Sequence, residues 1–372
     1  MQGADFVVVG GGIAGASVAY ELAGRGRVVL LEMEQVCGYH TTGRSAALLT
    51  TAYERGVARL LTLASRAFLE APPQGFVDTL ILSPLPTLFV GDEHQRPQIE
   101  RLTASARDKA AVEIVAGDTL ASLCPVLRRD VLTVGAFEAG SMEIDVAVLH
   151  QGFLRGIRDR GGAIHTGAAV SQIEPGDDCW TIGTNELQFE TPVVVDAAGA
   201  WADGVAEMAG VDPLGLQPMR RTAFVFDPAA DTTSWPMVIE VDESFYFKPE
   251  RSQVLGSLAE EIPVEPHDVK AEEIDVALAI DRIQAATTFD IRSVKRTWAG
   301  LRTFAPDRMP VNGFDGEAAG FYWLAGQGGF GIMTSPAMAR AAAGLICDEE
   351  LPEDLAAFGI TSDALDPRRL VT

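Results

Sequence analysis

Apolar, β-branched runs bounded by glycine recur along this chain, and the first lies close to its N-terminus. Residues 5–10 (DFVVVG) are apolar without alternation, which predicts a strand buried on both faces of a parallel sheet. In 14–22, Ala14, Ala16, Val18, Ala19 and Leu22 are mostly small, which predicts a helix lying close on that sheet and ending at Gly24 and Gly26. Val28–Leu31 is a second buried strand and closes on Glu32. Strand, turn, helix and strand thus fall within about thirty residues, the length of a nucleotide-binding unit.

Further on the pattern alternates. Helical stretches such as 57–69 and 146–160 are interspersed with strand-like segments at 86–90, 132–137 and 163–173. Residues 193–195 predict a third buried strand leading into Asp196-Ala197-Ala198-Gly199-Ala200-Trp201 and a helix to about 208. Strands dominate 211–297 (222–226, 237–241, 245–248 and 253–258), followed by a charged helix over 271–285. Phe321–Ala325 reads as a strand, 326–331 as a glycine loop and 335–346 as an alanine-rich helix. No repeat or low-complexity linker separates these parts. The expected fold is therefore α/β with two interleaved domains. Residues 1–52, 140–210 and 296–372 form a Rossmann-like dinucleotide-binding domain; 53–139 and 211–295 form an antiparallel-sheet substrate domain.

A length of 372 residues agrees with two domains. The 52 acidic and 29 basic residues give a net charge of −23, which repels nucleic acid and anionic lipid. Cys37, Cys124, Cys179 and Cys347 are far apart and form neither a disulfide scaffold nor a zinc pattern; no metal is expected. The absence of any run of about 18 apolar residues argues against a spanning helix. An N-terminus without a basic start and cleavage site makes a cytoplasmic location the expectation.

The first candidate chemistry is Gly10-Gly11-Gly12-Ile13-Ala14-Gly15, a G-x-G-x-x-G pattern between a strand and a helix. Gly10 permits a tight turn, Gly12 lets backbone approach a diphosphate, and Gly15 lets helix and strand pack closely. The helix N-terminus offers N–H groups and partial positive charge to phosphates. Glu32, at the end of the second strand, is placed to accept hydrogen bonds from ribose hydroxyls. This pattern alone leaves NAD and FAD open.

Three further segments resolve the choice: Gly43-Arg44-Ser45-Ala46-Ala47; Trp298-Ala299-Gly300-Leu301-Arg302-Thr303-Phe304, followed by Pro306-Asp307; and Gln327-Gly328-Gly329-Phe330-Gly331. With the glycine turn, they resemble the D-amino-acid oxidase family of FAD-dependent oxidoreductases. The stretches Gly38-Tyr39-His40, Leu214-Gly215-Leu216-Gln217-Pro218 and Asp242-Glu243-Ser244-Phe245-Tyr246 bring the likeness closest to its bacterial D-arginine dehydrogenase branch. The resemblance implies FAD in an extended pose with its ring at the domain interface; because no cysteine occupies a flavin-facing motif, non-covalent binding is the expectation, with covalent attachment left open. Gly10, Gly12, Ala14, Gly15, Glu32 and Met33 would hold its ADP part, and the backbone of Val170 would meet the adenine. Thr41, Thr42, Gly43, Arg44, Ser45, Ala46, Ala47 and Leu48 would follow the diphosphate and ring, with Ala198, Gly199 and Gly300 beside them. Gly328, Gly329, Phe330, Gly331, Ile332 and Met333 would bring N–H groups and a helix N-terminus to the flavin edge where negative charge gathers on reduction.

For the substrate, the resemblance implies that Arg221 and Arg302 bind a carboxylate, assisted by Tyr53 and Tyr246, with Arg220 as the alternative if the register slips by one. Leu48, Thr50, Thr87, Gly329 and Met333 would line the pocket; Leu48, Thr87 and Met333 stand where the branch has a histidine, a glutamate and a glutamine. Losing the glutamate removes a charge-assisted bond of about 1.5–3 kcal/mol, so apolar or aromatic D-amino acids are expected to exceed D-arginine as substrates. The expected reaction is hydride transfer from Cα to flavin N5, then imine hydrolysis to a 2-oxo acid and ammonia, with catalysis by positioning. The alternative substrates are secondary or N-methyl amino acids or glycine. The electron acceptor is open between oxygen and a quinone-like molecule. Lys248, two residues from Tyr246 on a predicted strand, shares its face; an interior cation there would favour oxygen, but a solvated lysine is the more ordinary expectation.

Overall fold

The computed structural model describes residues 2–52, 56–106 and 111–370. The glycine-bounded apolar runs meet in a six-stranded sheet. Its order is Ala163–His165, Val28–Leu31, Phe6–Val9, Val193–Asp196, Phe321–Ala325 and Val311–Phe314. The first five run parallel and the sixth pairs antiparallel with the fifth. Alternate residues feed two cores. Val8, Leu30, Val195 and Leu324 pack under the helices Ile13–Leu22, Val146–Asp159 and Gly331–Cys347. Val7, Val29, Val194 and Trp323 pack toward a four-stranded sheet through Trp180, Ile182 and Phe189. Burial on both faces is why these strands read as unbroken apolar runs.

The last helix carries Pro336 six residues into its length, where the ring removes one backbone donor. Neighbouring hydroxyls repair the break. Ser335 Oγ donates to Ile332 O (2.9 Å), and Ala337 N donates to Ser65 Oγ of Gly56–Glu70 (3.1 Å).

A nine-stranded, mostly antiparallel sheet forms the second layer. Its longest strand, Gln217–Phe226, pairs along one edge with Arg296–Phe304. Along the other edge it pairs first with Gln253–Ser257 and then with Ile262–Pro263, so 258–261 bulges between them. One face of this sheet, with Phe224, Val238 and Phe247, is covered by helix Glu273–Ala286. The other carries Ala223, Met237, Ile239 and Tyr246 toward the six-stranded sheet. The chain crosses from one sheet to the other repeatedly, and Arg296–Phe304 stays with the nine-stranded sheet by its pairing. The stretch 163–173, expected as one strand, is two: Ala163–His165 joins the six-stranded sheet and Val170–Pro175 the four-stranded one, with Gly167 in left-handed conformation (φ 63°) between them. Among the described residues no helix is long and apolar enough to cross a membrane, and no cluster of His, Cys, Asp and Glu could hold a metal ion.

Candidate active site

A continuous cleft of about 510 Å³ runs between the two sheets. One end lies outside the carboxyl ends of Phe6–Val9 and Val193–Asp196, where connections leave in opposite directions, the usual ligand position in an open parallel sheet. Gly10 has a φ of +107°, and a Cβ there would lie 2.5 Å from Ala197 O. A Cβ on Gly15 would lie 1.8 Å from Gly10 O, so Gly15 packs helix on strand and is not part of the cleft wall. The first helix has no side-chain cap at Gly12; instead Thr42 Oγ1 accepts from Ile13 N (2.9 Å) across 29 residues. Glu32, buried, is fixed by the N–H groups of Gly11 and Glu34 (2.8 Å each) and lines the cleft with Met33 and Val170. His150 Nε2 donates to Gly11 O (2.9 Å); burial holds its pKa down, so the ring is neutral beneath the turn.

The segment after the turn is tied to the second sheet. Thr41 Oγ1 donates to Leu301 O (2.7 Å), Arg44 Nη1 donates to Val269 O (2.9 Å) and Ala299 O (3.0 Å), and Trp298 Nε1 donates to Arg44 O (3.0 Å). These bonds stretch 41–48 along the cleft, where Thr41, Thr42, Arg44, Ser45, Ala46, Ala47 and Leu48 line it; Gly43 instead closes a turn onto Gly38 O (2.8 Å). Ala198, Gly199 and Gly300 complete the wall. The glycine loop enters from the far side, with Gly328 in left-handed conformation and packed on Phe304. The last helix follows with no side-chain cap, and Gly331, Ile332 and Met333 line the cleft at its N-terminus. Phe330 faces a side chamber instead.

Arg221 lies opposite Gly300, and Arg302 is two residues on, so the arginines are diagonal neighbours on one sheet face. Their backbones are roughly 7–8 Å apart in such a pair. They come from adjacent strands of one sheet, not from two domains facing each other. Both line the cleft with Tyr246, Thr50, Gly329 and Met333. Arg220 points the other way and pairs with Glu272 (2.9 Å) and Asp275 (2.8 Å) of the charged helix segment. Arg221, and not Arg220, lines the cleft. The bulge holds Arg221 through Nε to Glu260 O (2.7 Å) and Nη2 to Glu261 (3.4 Å).

Several expectations need correction. Thr87 does not line the cleft; it shares the sheet face but is fully buried, with its hydroxyl bonded to Ser141 Oγ (2.8 Å). Lys248 is interior and on the face of Tyr246, but it does not line the cleft either, being paired with Glu143 and Glu250. Burial lowers its pKa, and those carboxylates more than offset this and raise it. Tyr53 lies outside the described residues. The cleft also holds groups the sequence reading did not single out: Glu243, Met237, Ile239 and Ala259 near the arginines, and Trp201 near the glycine turn. Glu243 means the substrate end is not stripped of carboxylates. Glu243 sits in a turn before the strand of Tyr246, with a φ of 57°, so strand alternation did not signal it.

The cleft's groups fall in order: a ribose acceptor and glycine turn at one end, a glycine-flanked helix N-terminus between, with Gly331 beside Ile13 and Gly329 beside Arg302, and an arginine pair at the other. That order suits an extended dinucleotide with its ring beside the arginines. A family model described as FAD dependent oxidoreductase (DAO) matches residues 5–345. Mitochondrial dimethylglycine dehydrogenase of Mus musculus is 26% identical over 400 residues, covering 98% of this chain and 44% of that protein. Mitochondrial sarcosine dehydrogenase of Mus musculus is 25% identical over 356 residues, covering 89% and 38%. The chain therefore spans less than half the length of these curated relatives. Dithionite-reduced L-α-glycerophosphate oxidase from Mycoplasma pneumoniae with FAD bound superposes with a TM-score of 0.85 at 20% identity, over 93% of this chain and 95% of that one, a likeness of fold. With the match running through the glycine turn, the arginine strands and the last helix, this chain belongs to the FAD dependent oxidoreductase (DAO) family, with FAD as its cofactor.

Proposed function

We propose that this chain oxidises the carbon next to nitrogen in a small secondary or N-methyl amino acid. The observation that carries this reading is the arginine pair Arg221 and Arg302 set against an apolar wall of Leu48, Met237, Ile239 and Met333. The arginines supply a planar donor fork for a carboxylate, and the wall offers room for an N-alkyl group. Dimethylglycine and sarcosine dehydrogenases, named for N-methylated glycines, support it over the D-arginine dehydrogenase likeness.

In this reading Gly10, Gly12 and Ala14 hold the diphosphate, and Glu32 and Met33 hold the ribose. Val170 meets the adenine, and residues 328–333 turn N–H groups toward the ring. FAD supplies a two-electron acceptor. Arg221 and Arg302 orient the substrate carboxylate, with the hydroxyl of Tyr246 as a further donor, and so fix which C–H faces the ring. The substrate amine loses its proton to water, two electrons and a proton leave the adjacent carbon, and water hydrolyses the resulting imine. An N-methyl group leaves as formaldehyde.

The apolar wall also suits an unsubstituted D-amino acid with an apolar side chain, the second reading. Anaerobic mixing with sarcosine, N,N-dimethylglycine, D-leucine and D-arginine separates the two. Bleaching of the flavin's visible absorbance by the N-methylated compounds, with formaldehyde released, is the expected result. Faster bleaching by D-leucine, with ammonia released, would favour the second reading, and a preference for D-arginine would sink both.

A further inference from the structure

A side chamber of about 460 Å³ opens off the substrate end of the cleft, sharing Arg302, Gly329 and Glu243 with it and adding Asp242, Glu261 and Arg308. Both Glu261 carboxylate oxygens accept from Arg308 Nη2 (3.0 and 2.8 Å), and Oε1 also accepts from Arg221 Nη2 (3.4 Å). Arg308 is held in place, with a left-handed φ of 63° and its guanidinium 3.9 Å above the Phe304 ring. Three arginines therefore converge where the main cleft meets the chamber, and one carboxylate of the protein occupies donors of two of them.

We propose that Glu261 is a specificity-determining residue that restricts the site to substrates with one carboxylate. The proposal rests on reading Arg221 and Arg302 as carboxylate donors. A bound monocarboxylate uses the forks that face the cleft. A second carboxylate on the same substrate would have to enter the side chamber, where Nη2 of Arg308 is already bonded to Glu261, and Glu261, with Asp242 and Glu243, repels it. Without the charge of Glu261, Arg308 would turn Nη2 to a second anion beside the first, with Asp242 and Glu243 as the chamber's remaining carboxylates.

The test uses the FAD-loaded enzyme and two probes, acetate and malonate, each titrated while perturbation of the flavin's visible spectrum is followed. Wild type is expected to bind acetate at least as tightly as malonate. Glu261→Gln should tighten malonate roughly tenfold and acetate by less than about threefold, because one opposing charge is lost beside a fixed cation pair. Arg308→Gln carries the opposite sign: it leaves Glu261 unshared and should weaken malonate relative to acetate, so the idea stays testable if one variant fails to fold. A malonate-to-acetate ratio unmoved by Glu261→Gln, or raised affinity for malonate in Arg308→Gln, would overturn the role of Glu261 alone. No response to either anion in wild type would overturn the carboxylate-site reading with it.

Discussion

Arg220 and Arg221 are sequence neighbours with identical side chains, and the pleat sends them to opposite faces of one strand. The consequence is separable in kinetics. Arg302→Gln or Arg221→Gln is expected to lower kcat/KM about 10–100-fold, largely through KM, by removing a charge-assisted bond to the substrate carboxylate. Arg220→Gln should leave kcat/KM within about twofold while lowering thermal stability, since its partner Asp275 is buried and would lose its cation. Equal kinetic losses in Arg220→Gln and Arg221→Gln would contradict this division. A second residue-level prediction concerns Asp196, fully buried at the end of its strand. Ala198 N donates to Oδ1 (3.1 Å), and Oδ2 has no hydrogen-bond partner. Burial raises its pKa well above the ordinary 3.8, against the pull of the Ala198 bond and with a push from Asp203. The folded state thus keeps a proton that the unfolded chain releases, so its stability contribution is full below pH 3.8 and declines as pH rises toward the raised value. Asp196→Asn should therefore raise Tm at neutral pH, with an advantage that shrinks toward pH 4 (about the pKa of a free Asp). A constant difference across that range would refute it. Residue identities at the arginine pair, Leu48 and Met333 were legible in the sequence because they sit in distinctive local motifs. Thr87, Glu243 and Glu261 were not, because only strand pairing decides whether they face the cleft.

At the scale of elements, local signals carried far and pairing signals did not. The strand–turn–helix–strand unit was readable because its glycines and apolar runs act within one stretch of chain. The bulge at 258–261, which holds Arg221, was not: it exists because two different strands pair with the same edge of Gln217–Phe226. The division of 163–173 between two sheets was hidden for the same reason. The last helix carries a dependence of this long-range kind, because beside the break at Pro336 the Ala337 N–H donates to Ser65 of another helix. Ser65 is fully buried, so Ser65→Ala removes a buried hydrogen bond that no water replaces. The expected cost is about 1–3 kcal/mol, read as a lower urea midpoint at unchanged m-value. Gly15→Ala should be far worse, since its Cβ would collide with Gly10 O at 1.8 Å; loss of folded, FAD-bearing protein is expected. A Gly15→Ala protein that purifies yellow would show that helix and strand can separate without losing the site.

For the whole molecule, what matters is how the two sheets are kept facing each other across a cleft that must admit a long cofactor. We propose drawing the last domain border after Phe304 and not at 296, because Arg296–Phe304 is bonded along its length to Gln217–Phe226. On that division Arg44 belongs to one unit, and its partners Asp268, Val269 and Ala299 to the other. Asp268 also meets Tyr39 OH (3.4 Å) and lies 3.9 Å from His40 Nδ1, whose Nε2 side contacts Glu34 (3.0 Å). The clasp thus closes over 38–44, the segment proposed to follow the diphosphate. Asp268→Asn removes its charge but spares the two carbonyl bonds of Arg44, so FAD dissociation should quicken only a few-fold, about what a partly exposed pair contributes. Hydrogen bonding from Arg44 is the largest cause holding the Asp268 pKa below 3.8. The clasp is therefore intact above that pH and weakens as pH falls through the lowered value. Retention in wild type should accordingly be insensitive to Asp268 titration near neutrality yet fall with added salt, because this carboxylate is half exposed and screened. Asp268→Asn should have lost most of that salt dependence. FAD release followed by fluorescence at low and high salt decides the matter: equal salt dependence in both proteins would mean that the ion pair plays no part in holding the cleft closed.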